Sequence, residues 1–140
     1  MSDTIDARSV SLEGAQRVLA AALAEAGQLG LAICVTVSDP SGLPVLTARM
    51  DGAPRLSARI ATDKAFSVAS FGGAPTHGWW DAIKNEPALV HGITKTPRLT
   101  IFGGGLPLRA GGELIGAIGV SGGTVVQDQQ VAQAGADALA

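Results

Sequence analysis

The sequence predicts an α+β fold in which helices pack against a mainly antiparallel sheet. Two segments, 31–38 and 43–49, carry apolar and β-branched residues and are separated by a short turn. Strands that follow one another through short turns, without helical crossovers, pair antiparallel. Helical periodicity surrounds these strands, and the predicted order of elements is α-β-β-α-α-β-β-β-α.

The first helix and the first hairpin are predicted from their capping and turn residues. Ser11 can accept a hydrogen bond from an amide of the first helical turn, and Gly27 and Gly30 can end the helix. Residues 39–42, with Asp first, Pro second and Gly fourth, fit a type I turn. Apolar residues spaced three or four apart predict one buried helical face: Leu12, Ala15, Val18, Leu19, Ala22, Leu23 and Ala26.

The middle of the chain is predicted to be helical. Over residues 57–71, small alanine side chains form one stripe, which permits a close approach to the sheet. Thr76 is predicted to cap a short helix over residues 77–85, and Pro87 is predicted to break the chain after it.

The last third is predicted to complete the sheet and to end in a helix. Strands are predicted over residues 99–102, 107–109 and 113–121, joined by glycine-rich turns. Thr124 and Gln127 have the spacing of a capping box, which predicts a helix from there to the end of the chain.

The last predicted strand is apolar on both faces, so both faces must be covered. Helices on each side of the sheet, or a second subunit on one side, would cover them. Its glycines favour close packing against a neighbour. Gly103, Gly104 and Gly105 also follow a predicted strand, but Pro107 continues an extended chain there. A nucleotide-binding loop is therefore not predicted.

Length and composition indicate one soluble domain. With 140 residues, 46% of them apolar, the chain can bury a core without disulfides, and we expect a flexible tail over 1–10 and a single domain over 11–140. A net charge of −2 without like-charge blocks argues against nucleic acid as a partner. The lone Cys34, the polar N-terminus and the lack of a long apolar run indicate a cytoplasmic protein without a membrane anchor.

Several short motifs together carry a family resemblance over residues 12–139. They are Val37-Ser38-Asp39-Pro40-Ser41-Gly42, Arg49-Met50-Asp51-Gly52-Ala53, Asp63-Lys64-Ala65, Gly103-Gly104-Gly105-Leu106-Pro107, and Ile115-Gly116-Ala117-Ile118-Gly119-Val120-Ser121-Gly122-Gly123 followed by Asp128. In these motifs the chain resembles the GlcG/HbpS-like family, which includes the C-terminal domain of PduO-type proteins and is labelled haem-degrading or haem-binding. The resemblance implies a profilin-like α-β-α sandwich, frequent homo-oligomers and, in some members, binding of haem or another tetrapyrrole.

Residues 77–91 contain both histidines and both tryptophans of the chain. If His77 and Asp81 share a helix, their four-residue spacing places them on one face, where the carboxylate can orient the imidazole. Such a pair could act as a general acid or base. The alternative is that His77 only opens the helix and Asp81 faces solvent.

The other residues of this segment are candidates for ligand contact. His91 lies between Val90 and Gly92, which predicts a partly buried imidazole, either as a ligand-binding group or as a core histidine. The spacing of the two histidines matches no metal motif, so no metal site is predicted. Trp79 and Trp80 would point about 100° apart on a helix. One is predicted to lie in the core and the other to form an interface or the wall of a ligand site.

Two cations could hold an acidic ligand. Lys64 lies on an alanine-rich helix and could reach a carboxylate of a ligand or of a neighbouring residue, or it could be a surface lysine. The family resemblance favours a role for it. Arg49 could belong to an anion-binding edge or to a solvated loop. Asp128 falls in the first turn of the last helix, where the helix dipole favours an acid.

The leading functional hypothesis is an oligomeric small-molecule-binding protein. It would hold a flat or aromatic ligand, such as haem, near Trp79, His77 and His91. A purely structural or regulatory subunit would instead show a large apolar interface and no enclosed pocket.

The enzymatic alternative is a cofactor-independent enzyme of small-molecule metabolism. In it, His77 would be the general acid or base, Asp81 would orient it, and Lys64 or Arg49 would hold an acidic or aromatic substrate. This alternative requires one pocket that joins these groups.

Overall fold

The computed structural model describes residues 2–139 and confirms the α+β class with an antiparallel sheet. Over these residues the sheet has four strands in the order β2-β1-β4-β3, and every neighbouring pair is antiparallel. The elements are α1 (Leu12–Gln28), β1 (Cys34–Ser38), β2 (Pro44–Arg49), α2 (Ser57–Ser70), a 3-10 turn (Thr76–Gly78), α3 (Trp79–Ile83), α4 (Pro87–Ile93), β3 (Gly105–Ala110), β4 (Glu113–Ser121) and α5 (Val125–Ala136).

The predicted caps at Ser11 and Thr124 and the predicted turn are confirmed. The Ser11 hydroxyl accepts a hydrogen bond from the Gly14 amide at 3.0 Å, so α1 begins where the sequence predicts. Thr124 and Gln127 form the complete capping box of α5. In the hairpin between β1 and β2, the Gly42 amide donates to the Asp39 carbonyl at 3.0 Å. Among residues 2–139, no helix is both long and apolar enough to cross a bilayer.

The sheet lies between two helical layers, as its apolar faces require. On one face α2 packs against β1, β3 and β4, and on the other face α1 and α5 pack together over the strands. Ile118 and Val120 belong to the core beneath α1 and α5, while Ala117 packs with Val68 of α2. Helices thus cover both faces of β4.

Gly119 allows α2 to lie directly on the centre of the sheet. A Cβ atom placed on Gly119 would overlap the Ala61 carbonyl oxygen and would lie 2.7 Å from the Ala65 amide nitrogen. Any side chain at this position must therefore push the helix backbone away from β4.

The segment between α4 and β3 differs from the prediction. Residues 99–102 are not a strand, because their polar groups bond to α2: the Thr100 amide donates to the Ser67 hydroxyl at 2.8 Å, and that hydroxyl lies within hydrogen-bonding distance of the Arg98 carbonyl. Arg98 adopts a left-handed φ of 66°, which interrupts an extended chain. Pro107 lies in β3, an edge strand, where a missing amide is tolerated.

One further prediction about this half of the chain is wrong, whereas the predicted break at Pro87 is confirmed. Thr76 does not cap the short helix; its hydroxyl accepts a hydrogen bond from the Gly105 amide at 2.9 Å, and a 3-10 turn takes the place of the first helical turn. Helix α3 ends at Ile83, and Pro87 is the first residue of the separate helix α4. Proline suits that position since its missing amide would have no intrahelical partner there.

The N-terminal boundary falls close to the predicted one. Residues 2–9 are exposed, whereas Val10 is buried and its amide donates to the Ile115 carbonyl at 2.8 Å. The flexibility of the segment before Val10 and the independence of the domain stay predictions.

Replacing Gly119 by alanine tests the close contact between α2 and β4. We expect Gly119→Ala to lower the free energy of unfolding by at least about 2 kcal/mol, because the helix backbone must move. The matched control is Gly27→Ala, where a Cβ meets no atom within 4 Å and the backbone is helical. This control should leave stability unchanged or raise it by up to about 1 kcal/mol. Urea unfolding of both variants measures the difference, and equal stabilities would contradict the packing described.

Candidate functional site

A buried ion pair joins α2 to α5 at the end of β4. The Lys64 ammonium lies 3.1 Å from Asp128 Oδ2 and donates to the Val120 carbonyl at 2.7 Å. The second carboxylate oxygen of Asp128 accepts from the Gly123 amide at 2.8 Å. Both side chains are buried, so a helix from each layer and the central strand meet at one charged contact.

The glycine loop before β3 closes over this ion pair. Gly104 has a φ of 123°, and a Cβ there would lie 2.5 Å from the Val120 carbonyl oxygen and 2.7 Å from the Lys64 nitrogen. The Phe102 ring centroid lies 5.0 Å from that nitrogen. This cation–π contact favours the charged form of the lysine. Only glycine allows the loop to approach so closely in this conformation.

Burial acts on both members of the pair. It lowers the pKa of Lys64 and raises the pKa of Asp128, because each loses contact with water. The partner's charge and the hydrogen bonds between them oppose these shifts, and the Gly123 amide further stabilises the carboxylate. Since Lys64 is sealed from solvent, the geometry gives it a positioning role in the fold.

His77 lies beside the same glycine loop but faces solvent. It sits in the 3-10 turn that the Thr76–Gly105 hydrogen bond holds against β3. A Cβ atom placed on Gly103 would lie 3.3 Å from the Cβ atom of His77 and would also contact the side chain of Val125. The imidazole is thus exposed on a turn that is fixed to the sheet.

Asp81 does not orient His77. It forms an ion pair with Lys84 at 2.9 Å, and its side chain is 80% exposed. Among residues 2–139, no hydrogen bond joins Asp81 to His77, because a 3-10 turn holds the histidine while the acid lies in the α-helix that follows.

The two tryptophans differ in exposure, but neither belongs to the buried core, so the prediction that one of them lies in the core is wrong. Trp79 is half-buried and contacts Phe71 edge to face, with ring centroids 4.6 Å apart. Trp80 is 55% exposed. Phe71, Trp79 and four smaller residues line an apolar surface groove of about 240 Å³, the smaller four being Ala74, Pro75, Gly78 and Ala82.

The prediction that His91 is partly buried is wrong. It lies near the end of α4, a helix without buried residues, and is exposed. Its apolar sequence neighbours do not enclose it because α4 lies on the surface. Within the described part of the chain, no group of three or more His, Cys, Asp or Glu side chains could hold a metal ion.

Arg49 lies at the end of edge strand β2, which β1 separates from the strand that carries Val120. It is exposed and stands opposite Cys34 in the register of β1 and β2. The two residues line a small cleft with Thr47 and Thr62. The structure therefore brings Lys64 to Asp128 and His77 to the glycine loop, but it brings neither to Arg49.

Sequence reasoning left open whether Lys64 reaches a carboxylate of a ligand or of a neighbouring residue, and it did not identify Asp128 as the partner. A signal for a partner within the protein was present, because Lys64 lies three residues after Ala61 and four before Val68, on the buried stripe of α2. A lysine on such a stripe requires a partner for its charge. The choice of Asp128 depends on the three-dimensional fold.

Comparison with protein families gives one match over nearly the whole chain. A family model described as haem degrading protein HbpS-like matches residues 10–137. An uncharacterized 15.0 kDa protein from the dhaT-dhaS intergenic region of Citrobacter freundii is 36% identical, over 92% of this chain and 91% of its own length. Protein GlcG of Escherichia coli is 34% identical, over 80% of this chain and 81% of its own length.

Solved structures show the same architecture. The protein ORFY of Klebsiella pneumoniae superposes with a TM-score of 0.90 at 37% identity, over 99% of this chain and 95% of that chain. The complex of PduOC with heme superposes with a TM-score of 0.83 at 30% identity, over 94% of this chain and 95% of that chain.

Removing one member of the ion pair should destabilise the fold strongly. We expect Lys64→Met or Asp128→Leu to lower the free energy of unfolding by about 3–5 kcal/mol, because each leaves a buried charge unpaired. The double variant should lose less than the sum of the two, since it buries no charge.

The exposed pair of Lys84 and Asp81 provides the control. Lys84→Met should change stability by less than about 1 kcal/mol, as is usual for an exposed ion pair. Urea unfolding of the four variants tests this expectation. Additive effects of the two single changes would contradict a direct interaction.

Proposed function

The chain belongs to the HbpS-like family, and from this membership we propose that it is a small-molecule-binding protein whose ligand is haem or another tetrapyrrole. Its similarity to PduOC, which has been solved with heme, supports the ligand class. A bound haem would supply an iron centre whose properties depend on its axial ligand. What this chain would supply is the axial nitrogen and an apolar surface.

Among the side chains of this protein, histidine is the candidate axial ligand for an iron porphyrin. The sequence contains no tyrosine, and Cys34 is buried. His77 and His91 are both exposed, and either can offer an imidazole nitrogen. These two imidazoles are therefore the histidine ligands that the chain could offer to a tetrapyrrole iron.

The surroundings of His77 favour it over His91 as the ligand of the iron. We base the proposal on this difference. His77 lies beside Gly103 and Val125 on a turn that is fixed to β3. Val125 and Phe102, which precedes Gly103, are each 46% exposed, so apolar surface is available next to the imidazole. His91 instead lies on a helix that buries none of its residues.

The aromatic groove lies on the same short segment of chain as His77. Its lining includes Pro75 and Gly78, which flank His77 in the chain, together with Trp79 and Phe71. Flat aromatic ligands pack favourably against such rings. We assign Trp79 to the wall of the ligand-binding region and the more exposed Trp80 to its rim.

The geometry does not favour the enzymatic alternative. Asp81 is paired with Lys84, and Lys64 is sealed beneath the glycine loop. Arg49 lies on β2, whereas His77 packs near β3 at the other edge of the sheet. The groups that this alternative requires in one pocket are thus separated.

The proposal includes assembly into a homo-oligomer. Large apolar side chains on the surface, among them Trp80 and Val126, would be covered in such an assembly. The cytoplasmic location expected from the composition stays a prediction.

Haem titration with two histidine variants tests the proposal. The wild-type protein should shift the Soret band of haemin in a saturable way. His77→Ala should remove the shift or weaken binding at least about tenfold, a loss of about 1.4 kcal/mol. His91→Ala is the matched control, because it removes the other exposed imidazole, and it should bind like the wild type.

The folded state of each variant is checked by its circular dichroism spectrum. If the wild-type protein leaves the Soret band of haemin unchanged, the proposal of haem binding is contradicted. Wild-type binding by His77→Ala, or loss of binding by His91→Ala, would contradict the assignment to His77.

A further inference from the structure

We propose that the cleft between α2 and the β1–β2 hairpin is a second ligand site, which binds a small aliphatic carboxylate through Arg49. It lies at the β2 edge of the sheet, away from the His77 turn near β3. The inference is independent of the proposed tetrapyrrole site, since it uses none of the same residues.

Strand register places the polar side chains of the cleft on one face of the sheet. Cys34 stands opposite Arg49, and Thr36 stands opposite Thr47. Directly opposite residues of an antiparallel pair project to the same face. Thr36 lies 2.9 Å from the Thr62 hydroxyl of α2, so this face is the one that α2 covers.

The cleft exists because α2 rests on β4 and does not fill the space above β2. Close packing at Gly119 holds α2 against β4. Over the hairpin, α2 presents the small Ala58 and the medium-sized Thr62. A space of about 130 Å³ remains between these residues and the two strands.

The charge of the cleft favours an anion. Arg49 forms no ion pair among residues 2–139, and the lining contains no acidic side chain. Thr36 and Thr62 bond to each other, and the Thr62 hydroxyl also donates to the Ala58 carbonyl at 3.1 Å. The guanidinium of Arg49 and the hydroxyl of Thr47 are therefore the donors left for a ligand.

Cys34 adds a neutral donor to the cleft. It is 2% exposed and forms no disulfide. Burial raises the pKa of its thiol, and the smaller opposing effect of Arg49 does not offset this. An uncharged thiol does not repel an anion, whereas a thiolate would.

Size and lining select the class of carboxylate. A cavity of about 150 Å³ accommodates a ligand the size of benzene, so the 130 Å³ cleft suits about two to four carbons. A planar guanidinium matches a carboxylate in a bidentate geometry. Ala58 contributes apolar surface for a short alkyl group, which inorganic anions lack.

Backbone amide NMR with sodium propionate as the probe tests this site. Propionate should cause saturable shifts at Cys34, Thr36, Thr47 and Arg49. Sodium chloride and 1-propanol at the same concentrations should not, because one lacks the alkyl group and the other lacks the charge. Their spectra separate recognition of a carboxylate from an effect of salt or of apolar solute.

Three variants locate the binding. Arg49→Gln should weaken propionate binding about tenfold or more, since it removes a charge-assisted hydrogen bond. Ala58→Leu, an exposed position whose larger side chain would fill the cleft, should also remove binding. Arg17→Gln, on the opposite helical layer, is the matched control and should bind like the wild type.

The proposal is overturned if propionate causes no saturable shifts, if 1-propanol reproduces them, or if Arg17→Gln weakens binding as much as Arg49→Gln. The His77→Ala variant should retain propionate binding. Failure of the tetrapyrrole proposal and failure of this one are therefore distinguishable.

Discussion

The buried contact between Lys64 and Asp128 is the interaction on which the arrangement of the layers depends. It connects a helix on one side of the sheet to a helix on the other, and it bonds to the carbonyl of Val120 between them. Removing one charge from such a pair costs about 3–5 kcal/mol, which is a large share of the stability of a small domain. Three motifs that are distant in sequence, around Lys64, Gly104 and Asp128, converge at this contact.

Formation of this contact also positions the exposed surface above it. The glycine loop that covers the ion pair continues into β3, and the Gly105 amide holds the turn that carries His77. Because Gly103 lies against His77 and Val125, the loop links the buried charges to the proposed ligand surface. The glycines act in packing and in loop conformation, and the proposed function assigns ligand contact to the imidazole and the neighbouring apolar side chains.

Local patterns predicted most of the fold, whereas contacts between distant segments were harder to predict. Ser11 and Thr124 identified two helix starts, and the turn residues 39–42 identified the first hairpin. Residues 99–102 have the composition of a strand, but bonds to Ser67 hold them in a loop, and no local pattern contains that information. Likewise, the sequence spacing of His77 and Asp81 predicted a pair that a 3-10 turn prevents. The convergence of Lys64 with Asp128 depends on the packing of both helical layers.

We propose that this scaffold presents His77 as the group that binds a tetrapyrrole iron. The most direct measurement is a crystal structure of the haemin-loaded protein, with anomalous diffraction collected at the iron edge. We expect an iron peak within coordination distance of the His77 imidazole, with the macrocycle against Phe102 or Val125. An iron peak at His91, or at a surface without His77, would contradict it.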